Sequence, residues 1–355
     1  METRNMSNEL YKLCAEAKAF CQQAAKPLLV LLGPTAGGKT AASIAIAKYL
    51  QEQGTTVEII NADSRQLYKH LNIGTAKITE EEKQGIAHHL FDVLDPKEDV
   101  TIAWYQEKAK AVIEEIRSRG HVPMLVGGSM LYISVVIDGL ELQPSADLDL
   151  RKRLEEEYDQ DRGASLYKKL QEVDPETAAA FHPNNKLYVV RAMEIFEITK
   201  TKPSVSKKKS KSEYDLLILG IEWPREELMK RIDTRTKQMF EAGWIEEVQQ
   251  LMQRGYTKND PGMKSHGYKE IMDAIESGSI QEQPINWLLN NQALTADLSR
   301  RLTHQKKGRI YSPALAEAIA AKTRQYAKRQ TTWWKNDTRI QWIHSEAEDR
   351  DLPLR

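Results

Sequence analysis

From Pro27 the chain turns apolar as L-L-V-L-L over 28–32 and halts at Gly33-Pro34, a short buried run that suits a strand entering a loop. Helical spacing follows over 40–50. Further short apolar runs stand at Val57–Ile60, Leu90–Val93 and Val122–Val126, and between the last two Trp104–Arg119 sets Ala109, Val112, Ile113 and Ile116 on one helical face. Strand alternating with helix predicts an α/β fold, a parallel sheet covered by helices on both faces. After Asp138-Gly139-Leu140 the pattern changes, because 148–181 and 186–199 read as amphipathic helices with no strand signal between them. This predicts a helical insertion. K-K-K-S-K at 207–211 closes it, read as a solvated loop; strand character returns at Leu216–Ile221, and helix prevails from Arg225 until Arg339–His344 offers one last strand. Upstream, Leu10, Leu13, Cys14, Ala17, Phe20 and Cys21 recur at helical spacing, which predicts an accessory amphipathic helix. The expected organisation is therefore an N-terminal helix in 1–26, a core in two parts over 27–140 and 206–355, and an insertion over 141–205.

At 355 residues the chain suits two domains, or one large domain carrying an insertion. The 51 basic and 51 acidic residues cancel, so any affinity for nucleic acid must come from local clusters. No apolar run approaches the roughly 18 residues that cross a bilayer. Cys14 and Cys21 are too few for a disulfide framework or a cysteine-rich zinc site, which fits a reducing, cytoplasmic setting. Glu2, Glu9 and Glu16 argue against a transit peptide.

G-P-T-A-G-G-K-T at 33–40 matches G-x-x-x-x-G-K-[ST] in full, after a strand and before a helix. Gly33, Gly37 and Gly38 let the backbone wrap closely around an anion, with Pro34, Thr35 and Ala36 completing the loop. Lys39 adds a point charge and Thr40 offers a hydroxyl to Mg²⁺. The motif is that of nucleotide-binding P-loops, including ATP-binding ones, but by itself it specifies only phosphate or pyrophosphate. Asp63, in N-A-D-S-R-Q-L-Y at 61–68, should emerge at the same sheet edge. It reads as a Mg²⁺ carboxylate of a nucleotide hydrolase or as a general base near the pyrophosphate, with a cap of the next helix as the lesser third reading. Arg231 and Arg235 lie four apart on one helical face, where the bland alternative is two solvated arginines. His88 and His89 are neighbours on a strand and point to opposite faces, which argues for strand-end polar contacts over a shared metal. K-T-R-Q-Y-A-K-R-Q-T-T-W-W-K at 322–335 holds five basic residues and no acid, interleaved with Tyr326, Trp333 and Trp334. Such a mixture suits phosphates and splayed bases of single-stranded RNA, unless it is a basic helix packing its aromatics inward.

Five segments in order closely resemble the tRNA dimethylallyltransferases, also called tRNA isopentenyltransferases: G-P-T-A-G-G-K-T; D-S-R-Q-L-Y with I-G-T-A-K at 73–77; H-H-L-F-D-V-L-D-P at 88–96; V-G-G-S-M-L-Y-I at 126–133; and T-R-Q-Y-A-K-R-Q-T-T-W at 323–333. The resemblance implies a P-loop core with a helical insertion. It implies transfer of a dimethylallyl group from its diphosphate to the exocyclic N6 amine of adenosine 37, beside the anticodon of tRNA, with release of pyrophosphate. A P-loop, Mg²⁺ and arginines can stabilise that leaving group without ATP, and a carboxylate can take the proton of the alkylated amine. The resemblance gives Asp63 the proton-accepting role, places Thr40 and the Ser129 hydroxyl near the reacting groups and Arg235 at the pyrophosphate, and leaves Arg231 a lesser candidate. For tRNA it implies contacts from Asp63, Ser64, Arg65, Gln66, Ser129, Arg151, Arg191, Lys264, His266, Gly267, Tyr268, Lys269, Lys328, Arg329, Gln330, Trp333 and Lys335. A monomer acting on the anticodon stem-loop is expected.

Some positions depart from the family pattern. Tyr188 stands where an arginine is usual, and His266 replaces a usual aliphatic residue. The segment about 281–310 lies outside the resemblance; its Arg300, Arg301, Lys306, Lys307 and Arg309 read as a solvated loop or as an extended grip on the tRNA stem. No cysteine follows Cys21, so the zinc finger of some eukaryotic members is absent and a bacterial or organellar type is favoured. Competing readings are an adenylate isopentenyltransferase making free cytokinin-like nucleotides, a P-loop kinase or RNA-dependent ATPase, and a non-catalytic RNA-binding protein.

Overall fold

In a computed structural model of the chain, the structure describes residues 8–139, 147–206, 212–280 and 312–344. The lysine run 207–211 and the basic segment about 281–310 lie outside the described residues. Two compact units are formed, over their described residues: one from Met1–Val100, Lys108–Ile133 and Tyr214–Arg355, the other from Thr101–Glu107 and Ser134–Glu213. The second unit is wider than the 141–205 expected for the insertion.

The first unit is built on a six-stranded parallel sheet, β1 (Pro27–Leu32), β2 (Val57–Asn61), β3 (His88–His89), β4 (Val122–Gly127), β5 (Asp215–Glu222) and β6 (Ile340–His344), ordered β3-β2-β4-β1-β5-β6. Leu29 pairs in register with Met124 on one side and Leu217 on the other. The helix α1 (Asn8–Gln23) buries Leu13, Cys14 and Ala17 against the same core as α2 (Lys39–Glu52), with the Tyr11 and Tyr49 rings edge to face at 5.9 Å. The accessory helix is thus part of the core. Burial pushes the Cys14 thiol up to about 12, so it stays protonated and acts as a small apolar group.

Leu90–Val93 does not form the expected strand. Only His88–His89 pairs with β2, because Leu90 (φ 62°) and Asp92 (φ 54°) turn left-handed and end the extended backbone. That turn brings Asp92 to Lys77 at 2.6 Å. His88 and His89 do diverge: the first bonds Ile86 O at 2.8 Å, the second the Glu58 carboxylate at 2.6 Å.

After α3 (Glu80–Lys83), α4 (Ile102–Ser118) and α5 (Met130–Ile137), the second unit holds α6 (Leu148–Gln160), α7 (Ala164–Val173), α8 (Pro175–Ala179), α9 (Lys186–Thr199) and α10 (Pro203–Ser206). The predicted helix over 148–181 is therefore three. Gly163 at φ 87° breaks it first, and Asp174, capping Thr177 N at 3.1 Å ahead of Pro175, restarts it. Back in the first unit, α11 (Arg225–Ala242), α12 (Trp244–Gln253), α13 (Tyr268–Glu276) and α14 (Pro313–Trp334) precede β6. No described helix is long and apolar enough to cross a membrane.

Candidate active site

The loop Gly33–Gly38 leaves the carboxyl end of the central strand β1 beside β4; the chain runs from β1 to β2 on one side and from β4 to β5 on the other, and the crevice between such diverging connections is the usual ligand position in these sheets. It ends at Gly38, φ 87°, the N-cap of α2, so the first free amides of that helix face the cleft. Ala36 is held at φ 60°, an uncommon conformation for a residue with a side chain. Distant side chains hold it there: Arg231 Nε donates to Ala36 O at 2.9 Å, and Trp223 Nε1 donates to Gly37 O at 3.0 Å. Arg231 also lies over the Trp223 ring at 4.1 Å. It is a buried brace of the loop, which is a third reading beside solvated surface and substrate contact.

A cleft of ≈ 60 Å³ is lined by Thr35–Thr40, Ser43, Asp63, Gln66, His88 and Arg235. Lys39 Nζ donates to Pro34 O at 2.8 Å. Burial pushes its ammonium down to about 8, with Asp63 opposing and Arg235 reinforcing the shift. A second cavity, ≈ 280 Å³, is lined by Thr35, Ala36, Asp63–Arg65, Gly74, Thr75, Arg235, His266, Tyr326 and Arg329, with apolar walls from Ile232, Met239, Trp244 and Ile319. Thr35, Ala36, Asp63 and Arg235 line both. Arg235 Nη1 donates to Thr35 Oγ1 at 3.3 Å, so the second arginine of the pair is the one at the site.

Asp63 follows β2. Its Oδ1 accepts the Arg65 amide at 2.9 Å, and Asn61 accepts the Asp63 amide at 2.8 Å, an arrangement that fixes the turn. Ser129 is buried, and its Oγ accepts the Ser64 amide at 2.9 Å and donates to Ser64 Oγ at 3.3 Å. It steadies the residue next to Asp63. Gln66 Nε2 donates to Thr75 O at 2.9 Å and Ala76 O at 3.2 Å, which spends its amide on the cavity wall.

Of the residues expected at tRNA, Arg65, Lys264, His266, Lys269, Lys328, Arg329, Trp333 and Lys335 are exposed. Arg65 and Arg329 stand at the larger cavity, and His266 meets Tyr326 edge to face at 5.5 Å. Three others face inward. Tyr268 is fully buried and donates to Glu247 Oε1 at 2.6 Å. Gly267, φ 92°, leaves room for the Trp244 ring, which a Cβ would approach to 2.1 Å. Gln330 is buried against the P-loop, and Trp334, expected beside Trp333 as a stacking ring, is buried while Trp333 is exposed. In the second unit Arg151 and Arg191 both pair at 2.6 Å with buried Glu194, each still about a third exposed.

The sequence reading passed over Glu247, which accepts the amides of Asn72 at 3.1 Å and Ile73 at 2.8 Å and so shapes the 72–75 wall. Burial raises its carboxyl despite these bonds. Tyr326, pushed up to about 12 by burial and then by Asp63, is a neutral phenol in the cavity at every working pH.

Mg²⁺ fits the donor set. The Thr40 and Ser43 hydroxyls and the Asp63 carboxylate are hard oxygen groups around one cleft, and among the described residues no cluster of three or more His, Cys, Asp or Glu forms an all-protein cage. Such a site suits a cation that arrives with phosphate oxygens.

A profile of the IPP transferase family matches residues 66–337. The tRNA dimethylallyltransferase of Heliobacterium modesticaldum is 36% identical over 327 residues, 91% of each chain, and that of Staphylococcus carnosus is 37% identical over 93% of this chain and 94% of its own. Among solved structures, the tRNA isopentenylpyrophosphate transferase of Bacillus halodurans is 34% identical at a TM-score of 0.60, covering 92% of this chain and 93% of its own. A eukaryotic dimethylallyltransferase described as acting on tRNA is 26% identical at 0.68, covering 92% and 75%.

Proposed function

We propose, from the premise that this chain belongs to the IPP transferase family and is a transferase that moves a prenyl group to tRNA, that its donor is dimethylallyl diphosphate and its acceptor the N6 amine of adenosine 37 beside the anticodon. The observation that carries the reading is the meeting of two cavities at Thr35, Ala36, Asp63 and Arg235. One has the chemistry of a diphosphate site. The other is wide enough for a flipped base, apolar along one wall and basic at Arg65 and Arg329.

In this reading the P-loop amides and Lys39 hold the diphosphate, and Arg235 neutralises charge as it leaves. The amine attacks the allylic C1; the new N–C bond forms as the C–O bond to pyrophosphate breaks, and the amine proton passes to the Asp63 carboxylate. The Thr40 hydroxyl would hold Mg²⁺, which would supply further charge neutralisation on the diphosphate. Walls of Ile232, Met239, Trp244 and Ile319 exclude water that would hydrolyse the donor. Arg65, Lys264, His266, Lys269, Lys328, Arg329, Trp333 and Lys335 form the exposed RNA-facing set of the first unit, and Arg151 and Arg191 are the RNA contacts of the second. The protein works as a monomer in the cytoplasm: both cavities are complete within one chain, and its two described cysteines are free thiols.

The test combines the protein with unmodified anticodon stem-loop RNA, Mg²⁺ and either radiolabelled dimethylallyl diphosphate or ATP. Label on the RNA from the first donor is the expected result. ATP hydrolysis without prenyl transfer refutes it, and, with AMP added beside the RNA as a second acceptor, label on AMP but not on RNA replaces it with the cytokinin-type activity.

A further inference from the structure

The segment that reads as the RNA signature, K-R-Q-T-T-W within α14, has two faces. Lys328, Arg329 and Trp333 are exposed, whereas Ala327, Gln330 and Trp334 are buried at spacings of three and four, the inner stripe of a helix. Gln330 is 2% exposed. Its Oε1 accepts the Thr35 amide at 2.9 Å and its Nε2 donates to Gly128 O at 2.7 Å. Both ends of the amide are thus spent inside the protein, across 295 residues to the P-loop and 202 to the loop after β4. The approach requires a glycine: a Cβ on Gly128 would sit 2.2 Å from Gln330 Nε2.

We propose that Gln330 is a positioning residue for the donor diphosphate and not a tRNA contact. The inference rests on the donor reading above. Thr35 borders both cavities, carries the hydroxyl that meets Arg235, and precedes Ala36, whose left-handed backbone persists only while its surroundings hold it. Arg231 and Trp223 secure the carbonyls of Ala36 and Gly37; Gln330 alone among the described side chains takes the Thr35 amide. Without it the half-buried Thr35 amide loses its partner and the Gly128 carbonyl keeps only the long bond from the Tyr326 hydroxyl at 3.5 Å, and the loop relaxes where the diphosphate and Arg235 must align.

The test replaces Gln330 by Met, which keeps the length and removes donor and acceptor, and by Glu, which keeps an acceptor and adds a charge. In Gln330→Met the KM for dimethylallyl diphosphate should rise roughly tenfold, the loss expected for about one hydrogen bond, with kcat lowered. The Kd for unmodified stem-loop RNA should stay within about twofold of wild type. Gln330→Glu should raise the donor KM at least as far, again with RNA affinity retained. Weaker RNA binding with an unchanged donor KM in either variant overturns the inference. If neither variant folds, amide exchange in the wild type decides. The Thr35 amide should exchange slowly without ligand, and fast exchange overturns the proposal. Failure of the wild type to bind dimethylallyl diphosphate defeats the donor reading itself. A wild type that binds it, beside a Met variant that binds it equally well, defeats only the role of Gln330.

Discussion

Lys39 offers a titration that the rest of the site cannot imitate. Burial lowers its ammonium from 10.5 to about 8, so in the free enzyme the charge proposed to meet the diphosphate is lost in the mildly alkaline range. With that value the charged fraction is about 0.9 at pH 7, 0.5 at pH 8 and 0.1 at pH 9, and kcat/KM for the donor should fall roughly tenfold from pH 7 to pH 9. The neighbours stay out of this window: burial lowers His88 and His266, so both are neutral by then, and Tyr326 sits at about 12. Once bound, the diphosphate stabilises the ammonium, and kcat at saturating donor should remain flat beyond pH 9. Calorimetry in buffers of different ionisation enthalpy gives an independent reading, with about half a proton taken up per donor bound at pH 8 and about a tenth at pH 7. A kcat/KM that stays level to pH 9.5, or binding at pH 8 without proton uptake, would refute the reasoning.

Asp63→Asn keeps the turn acceptor for the Arg65 amide but not the proton acceptor, so turnover should drop about 10²–10⁴-fold with RNA affinity unchanged; near-normal single-turnover rates would remove the base. Glu58 is raised by burial, yet its bonds to Arg119, His121 and His89 outweigh this and hold it at about 2. A depressed folded pKa contributes stability above about pH 4.5 that vanishes as the pH falls toward 2, so wild type should lose more of its urea midpoint between pH 7 and pH 3 than Glu58→Gln; equal losses would contradict the assignment. Arg231→Met removes the bond to Ala36 O and the stack on Trp223, and should cost about 1–3 kcal/mol in urea unfolding; an unshifted midpoint would mean the brace is idle. Neutralising Lys328 or Arg329 should each flatten the log–log salt dependence of RNA binding by roughly 0.7, and unchanged slopes in both would return them to solvated surface.

The sequence made the P-loop legible because its glycines, Lys39 and Thr40 act through backbone shape and local spacing, which one short segment contains. It made β1, β2, β4 and β5 legible because parallel strands buried on both faces read as apolar runs, whereas the edge strand β6 buries only Ile340 and Ile343. Leu90–Val93 has the same text and a different fate, since two left-handed residues and the Lys77 partner lie outside any periodicity. The inward turn of Tyr268 was written in the apolar spacing Tyr268, Ile271, Met272, Ile275, and that of Gln330 in Ala327, Gln330, Trp334; motif likeness outweighed both patterns. Glu247 left no local signal, and Glu194 only its pairing with Arg191 one turn earlier. Their remote partners lie 43 residues away at Arg151 and 174 away at Ile73, and only the folded chain brings buried carboxylates to them.

The remote contacts also explain why a P-loop can serve a prenyl donor. The eight residues 33–40 would cradle any phosphate chain, so the motif cannot by itself distinguish ATP from an allylic diphosphate. The distinction lies in what surrounds the loop. Arg231, Trp223 and Gln330 reach it from α11, the end of β5 and α14, and each bonds a backbone group of the loop. The same α11 supplies Arg235 and Ile232 to the larger cavity, and the same α14 supplies Ile319, Thr323, Tyr326 and Arg329. Two helices therefore set both the posture of the loop and the apolar, basic-mouthed cavity opposite it. In the proposed reaction an adenine ring and a five-carbon chain would meet at Asp63 only if those two settings agree, which would make the inner faces of α11 and α14 as much a part of the prenyl-transfer site as the glycines of the loop.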